Sequence, residues 1–299
     1  MQARNPAPLS PVWRRVVSWL LYLVLVGGSA VAAMSGFDRG HHSVAVFLVV
    51  FSVAALSTQL LERLLPLQSD WLHSHGDLLT DSLHASLSSG TAQAGRAVIV
   101  FLLARLGVVG PPVGTLWPTS WPLPLQLFLA LLLVEPCGYF LHRAQHKFGL
   151  LWRFHAIHHS APRLYWLSSM RNHPLDTLLF ALALLPLTLL GAPERLITIF
   201  STTFAVQLLL QHANIDFQLG RFMGIIHLAE THQWHHSQRL EEADSNFGTA
   251  TLVCDLLFGT RRISESGSSP RALGLAEGDS YPQDYVGQIV TPFERTPNL

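Results

Sequence analysis

Uncharged apolar runs alternate along this chain with short polar segments, at intervals suited to a membrane. Residues 16–33, VVSWLLYLVLVGGSAVAA, carry no charge, and at about 1.5 Å per helical residue they make about one bilayer crossing. A cleavable leader is disfavoured, because its apolar part is usually only about 7 to 15 residues. A second uncharged run, residues 44–61, follows the polar GFDRGHH, so the two predict a helical hairpin. Residues 68–95 are polar and read as a linker. RAVIVFLLARLGVV, residues 96–109, contains Arg96 and Arg105, which a helix tolerates inside a bundle or at the interface. The prolines and tryptophans of PPVGTLWPTSWPLP then break the helix near a membrane boundary. A further helix runs from about residue 125 to His146. LDTLLFALALLPLTLL and RLITIFSTTFAVQLLL, joined by GAPE, predict a second hairpin ending at Gln211 and His212. The pattern predicts an all-α, polytopic transmembrane bundle of about four to six spans or embedded helices. Its expected division is an N-terminal tail (1–15), an N-terminal membrane region (16–124), a catalytic domain (125–260) and a C-terminal tail (261–299).

Composition agrees: 49% of the residues are hydrophobic and 13% charged, against roughly 25% charged in soluble domains. Lys plus Arg and Asp plus Glu balance at 19 each, so no basic field exists to hold nucleic acid. Cys137 and Cys254 form no CxxC and suggest neither a disulfide scaffold nor a cysteine metal site. Arg14 and Arg15 flank the first span, while Arg143, Lys147, Arg153, Arg163 and Arg171 lie between the central ones. The positive-inside rule therefore puts both termini and the histidine-rich segments on the cytoplasmic side.

Those histidines change the picture from a membrane protein to a metal-binding one. HRAQH places His142 and His146 at i and i+4, on one helix face. HAIHH places His155, His158 and His159 at i, i+3 and i+4, and HQWHH repeats that spacing with His232, His235 and His236. His212 closes the last apolar run and His173, in RNHP, opens another; both stand where the same ions could reach them. His41, His42, His73, His75 and His84 read as solvated or satisfied in the core, and His227 lies outside the repeated spacing. Eight to ten imidazoles exceed the three protein ligands of a catalytic zinc, so two ions are implied. Imidazole alone leaves zinc, copper, iron and nickel open.

HRAQH, HAIHH and HQWHH, with RNHP, QHANIDFQLGR, DSNFG and DLLFGT, resemble the fatty acid hydroxylase and sterol desaturase superfamily of integral membrane enzymes, over roughly residues 125–293. The resemblance implies two non-haem iron ions in a cytoplasmic histidine-rich cap. It implies dioxygen as co-substrate, and hydroxylation or desaturation of a lipid taken from the bilayer. By position His142 and His146 match the first box, His155, His158 and His159 the second, and His232, His235 and His236 the third, with His212 a further ligand. Some relatives carry another histidine one turn before His212, where this chain has Leu208. Asp244 and Asn246 of DSNFG either orient imidazoles or only form a turn. The chain has no GxGxxG, P-loop or cytochrome b5-like segment, so electrons come from an external donor such as a reductase, ferredoxin or cytochrome b5-like carrier. Arg143, Lys147 and Arg153 offer it a basic surface or anchor to lipid headgroups. The competing readings are a dizinc membrane hydrolase, a bis-histidine haem electron-transfer protein and a metal carrier. The last would need intramembrane ligands, and the spans offer little beyond Glu135.

Overall fold

In the computed structural model, residues 10–107, 116–263, 268–276, 280–295 and 297 are described. Among the described residues four helices are long and apolar enough to cross a membrane: α1 (Pro11–Asp38), α2 (Ser43–Leu64), α3 (Leu78–Arg105) and α4 (Leu123–Lys147). Their starts are chemically marked. Pro11 opens α1, where its missing N–H costs nothing, and the His42 ring accepts from the Val44 N–H at the head of α2. Leu48, Val49, Val53, Leu56 and Leu60 of α2 face outward and exposed, as a lipid-facing surface requires.

The remaining helices build the functional end: α5 (Gly149–His159), α6 (Pro174–Leu189), α7 (Glu194–His212), α8 (Ala229–His235), α9 (Val253–Phe258) and α10 (Tyr285–Glu294). No strand occurs among the described residues, only two isolated bridges, Ile226 with Thr251 and Ser237 with Leu273. α7 packs against α1 and α2 through Leu25, Ala54, Ala55, Val206, Leu209 and Leu210. The two alanines let the backbones approach closely. α4 packs against α6 through Ala130, Val134, Ala183 and Leu187. Both packings deliver helix C-termini, with their histidines, to one end of the bundle.

Three segments differ from the sequence expectation. The polar stretch 68–95 is not all linker, since α3 already begins at Leu78. Its polar residues are inward contacts: Thr80, Asp81, His84 and Ser88 are all buried. Arg171 and Tyr165 both bond to the Asp81 carboxylate, and neighbouring Asp77 takes a bidentate contact from Arg163 at 2.6 and 2.9 Å. Removing one partner of such a buried pair costs about 3–5 kcal/mol, because the other charge is stranded. α6, expected as one helix, tightens to a 3-10 turn at Leu182–Leu184, just ahead of Pro186, which cannot donate to the helix ladder. The C-terminal segment straps back over the cap. Gln288 Oε1 meets His84 Nε2 at 2.9 Å, and the Gly274 N–H donates to the His236 carbonyl at 3.0 Å. The break expected at 111–124 lies partly outside the described residues.

Candidate metal centre

Four helix ends supply the imidazoles. α4 carries His142 and His146 into the cap, and Phe148 turns the chain directly into α5, which presents His155, His158 and His159. α7 ends on His212, while α8 and the residue after it hold His232, His235 and His236. These nine side chains are all buried. They gather into two groups, His142, His146, His155, His159 and His235 in one and His158, His212, His232 and His236 in the other.

Within each group the Nε2 atoms face one another. His142 stands 2.9 Å from His235 and 3.1 Å from His155, and His146 stands 3.1 Å from His159. In the second group His212 is 3.0 Å from His158 and 3.1 Å from His232, which is 3.0 Å from His236. The opposite ring atoms explain why these contacts are not ordinary hydrogen bonds. His142 Nδ1 donates to the Phe247 carbonyl at 2.9 Å and His235 Nδ1 to the Ser245 carbonyl at 2.7 Å. His155 Nδ1 donates to Asp176 at 3.1 Å and His212 Nδ1 to the Leu208 carbonyl at 3.1 Å. A neutral imidazole has one proton, so these four Nε2 atoms are bare. On five of the nine rings a second proton is disfavoured. Burial first, then the neighbouring rings, hold His158, His159, His232, His235 and His236 well below the ordinary histidine range. Bare lone pairs about 3 Å apart, as on His142, His155 and His235, repel unless a cation lies between them, so the first group fits a metal ion, and the second repeats its convergence of ring nitrogens.

The model of the family described as "Fatty acid hydroxylase" matches residues 127–260. The ornithine lipid hydroxylase OlsE of Rhizobium tropici is 32% identical over 288 residues, covering 93% of this chain and 85% of that protein. The chain belongs to the fatty acid hydroxylase family. The alkylglycerol monooxygenase of Danio rerio is 26% identical over 147 residues, 48% of this chain but 31% of that protein. The very-long-chain aldehyde decarbonylase GL1-10 of rice is 25% identical over 183 residues, 58% of this chain and 59% of its own. No solved structure matches. This hydroxylase is accordingly an enzyme, an oxidoreductase.

In this family member the DSNFG segment meets the histidines through its backbone. The Asp244 side chain touches Lys147 at 2.5 Å. That of Asn246, at φ 55°, ties the Thr231 and Arg262 backbones together. The carbonyls beside Asn246, those of Ser245 and Phe247, aim His235 and His142. Two buried carboxylates hold this loop from behind. Asp255 accepts from the Phe247 and Gly248 N–H groups at 2.8 and 2.7 Å. Glu135 accepts from those of Thr249, Ala250 and Thr251 at 2.9–3.0 Å.

His173 lies outside both groups. Its Nδ1 accepts from the Leu175 N–H at 3.0 Å, capping α6, and its ring packs on Phe154 and Phe293. His84 is satisfied in the core, while His41, His42, His73 and His75 are exposed. The sequence reading missed Asp176, which also accepts from Gln145 at 2.5 Å. Its only signal is its place two residues after Pro174, in the first turn of α6.

Proposed function

We propose that this protein is a membrane-bound non-haem di-iron monooxygenase that hydroxylates a lipid carrying a polar head, with desaturation the alternative outcome. The observation that carries it is the pair of imidazole groups whose bare Nε2 atoms converge. The substrate class rests on the relatives, one named for ornithine lipid and another for alkylglycerol. The overall balance is R–H plus dioxygen, two electrons and two protons giving R–OH and water. When bound, the iron pair supplies dioxygen reduction and C–H oxidation, which no side chain provides. An external carrier supplies the two electrons.

The chain's residues hold, orient and dry the site. His142, His146, His155, His159 and His235 bind one ion, and His158, His212, His232 and His236 the other. Asp176 fixes the Nδ1–H tautomer of His155, and the Ser245 and Phe247 carbonyls do the same for His235 and His142. Trp152, Phe247 and Phe180 line the rings of the first group and exclude water. A dizinc hydrolase is less well supported by the donor count, since a catalytic zinc takes about three protein ligands and these groups offer five and four imidazoles. Their Nε2 separations of 2.9–3.1 Å also leave no space for a haem between facing rings.

Protein from iron-replete cells should contain two irons per chain, show no Soret band and consume dioxygen only with lipid and reductant. Stoichiometric zinc with dioxygen-independent hydrolysis would overturn this reading. The cap faces the cytoplasm in this proposal, supported by Arg14, Arg15 and the basic residues between the central spans. A reporter fused after Leu299 should be active on the cytoplasmic side. Activity on the opposite side would reverse the topology.

A further inference from the structure

Both groups need their imidazoles held in one tautomer, yet the contacts that do so are unevenly shared. In the five-histidine group a carboxylate and two carbonyls take the Nδ1 protons of His155, His142 and His235, and the Nδ1 of His146 is buried without a partner. In the four-histidine group the Leu208 carbonyl takes that of His212, while the Nδ1 atoms of His158, His232 and His236 are buried without a partner. His232 directs Nε2 into the group, 3.1 Å from that of His212 and 3.0 Å from that of His236. With an ion bound at that nitrogen its proton sits on Nδ1, as an unanswered donor.

An unanswered acceptor lies next to it. His227, outside the repeated histidine spacing, is fully buried. Its Nδ1 is 2.7 Å from the Gly248 carbonyl oxygen, which can only accept, so Nδ1 carries the proton and Nε2 is bare. The Gln211 amide nitrogen donates to that carbonyl as well, at 3.0 Å, and lies 2.6 Å from Nδ1, so the Gly248 oxygen takes both protons. Gly248 thus treats His227 as Phe247 and Ser245 treat His142 and His235, three carbonyls of one loop each fixing a bare Nε2. The other two Nε2 atoms face a metal group; that of His227 has no partner. Its ring meets His232 edge-on, with centroids 4.9 Å apart and planes at 77°. It is absent from the set whose ligand atoms converge, so a direct bond to the ion is not its role.

We infer that His227 is a positioning residue whose bare Nε2 accepts the Nδ1 proton of His232 through one water, and so holds His232 toward the second ion. The chain of contacts runs from the Gly248 carbonyl through His227 to His232, a neutral counterpart of the Asp176–His155 pair in the other group. This rests on the di-iron reading above.

The test is chelator competition on the purified, iron-loaded full chain, counting irons retained against chelator concentration. Losing an outer partner of a metal-bound histidine typically weakens binding about 10- to 100-fold. His227→Leu should therefore lower the chelator midpoint for one of the two irons by that factor and leave the other unchanged. Asp176→Asn should do so for the other iron, and the double variant for both. His227→Gln, whose side-chain oxygen can accept at the same place, should restore the midpoint to within a few fold. A purely structural residue would weaken both irons together. Wild-type retention of both irons by His227→Leu overturns the inference, as does a folded His227→Gln protein as defective as the leucine variant. Wild-type protein that holds fewer than two irons overturns the metal centre itself, and the inference with it.

Discussion

His158→Ala protein should lose iron and lipid oxidation together, by more than the roughly 10- to 100-fold that follows loss of an outer hydrogen-bond partner. His158 belongs to the four-histidine group, where its Nε2 lies 3.0 Å from that of His212. No carboxylate belongs to that group among the described residues, so nothing nearby replaces the lost nitrogen. His146→Ala and His235→Ala should behave alike in the five-histidine group. His41→Ala and His73→Ala control for damage to the membrane fold, because both side chains are exposed and such changes usually alter stability by no more than about 0.5 kcal/mol. The measurement is iron per chain and product formed by detergent-purified variants of equal thermal stability. A folded His158→Ala protein with both irons and normal turnover would remove the histidine groups from the chemistry.

That contrast between clustered and isolated histidines was legible in the sequence because side chains on one helix face recur with a period. HRAQH, HAIHH and HQWHH put their rings on single helix faces, and all eight of those histidines join a group, with His212 the ninth. The spans were legible for a similar reason, since a lipid-facing helix must be apolar for its whole length. What failed to show were contacts between segments far apart in the chain. Residues 78–95 look like a linker because polarity in sequence does not reveal the direction of a side chain. Asp81 is polar and yet buried, its carboxylate meeting Arg171 across 90 positions. Asp176 escaped notice, and His227 was set aside, for a related reason: a single carboxylate or imidazole has no spacing to mark it. His173 errs in the other direction, for a histidine ahead of a proline serves equally as a helix cap.

The loop that aims the histidines is the least legible part, and Glu135→Ala should show how much depends on it. Glu135 sits inside α4, buried, and its two oxygens take the N–H groups of Thr249, Ala250 and Thr251, besides the Thr249 hydroxyl at 2.6 Å. Read along the sequence it is a lone acid in an apolar helix, which is costly in a membrane unless paired. Here it is paired with backbone, and the loop it holds carries the Ser245, Phe247 and Gly248 carbonyls in front of His235, His142 and His227. Alanine leaves three buried N–H groups without acceptors, at about 1–3 kcal/mol each, a sum comparable with the roughly 5–15 kcal/mol stability of a whole domain. The loop cannot recover by closing on itself, because it is already packed to contact: a Cβ on Gly248 would lie 1.9 Å from the Thr251 carbonyl oxygen, and one on Gly138 would lie 2.7 Å from the Thr249 side chain. Glu135→Ala should therefore lose both irons and melt well below wild type, and Gly248→Ala should match it although it removes no polar group. Glu135→Gln, which keeps one acceptor oxygen, should fall between Glu135→Ala and wild type. If Glu135→Ala kept both irons and the wild-type melting temperature, the histidines would be oriented by something other than this loop.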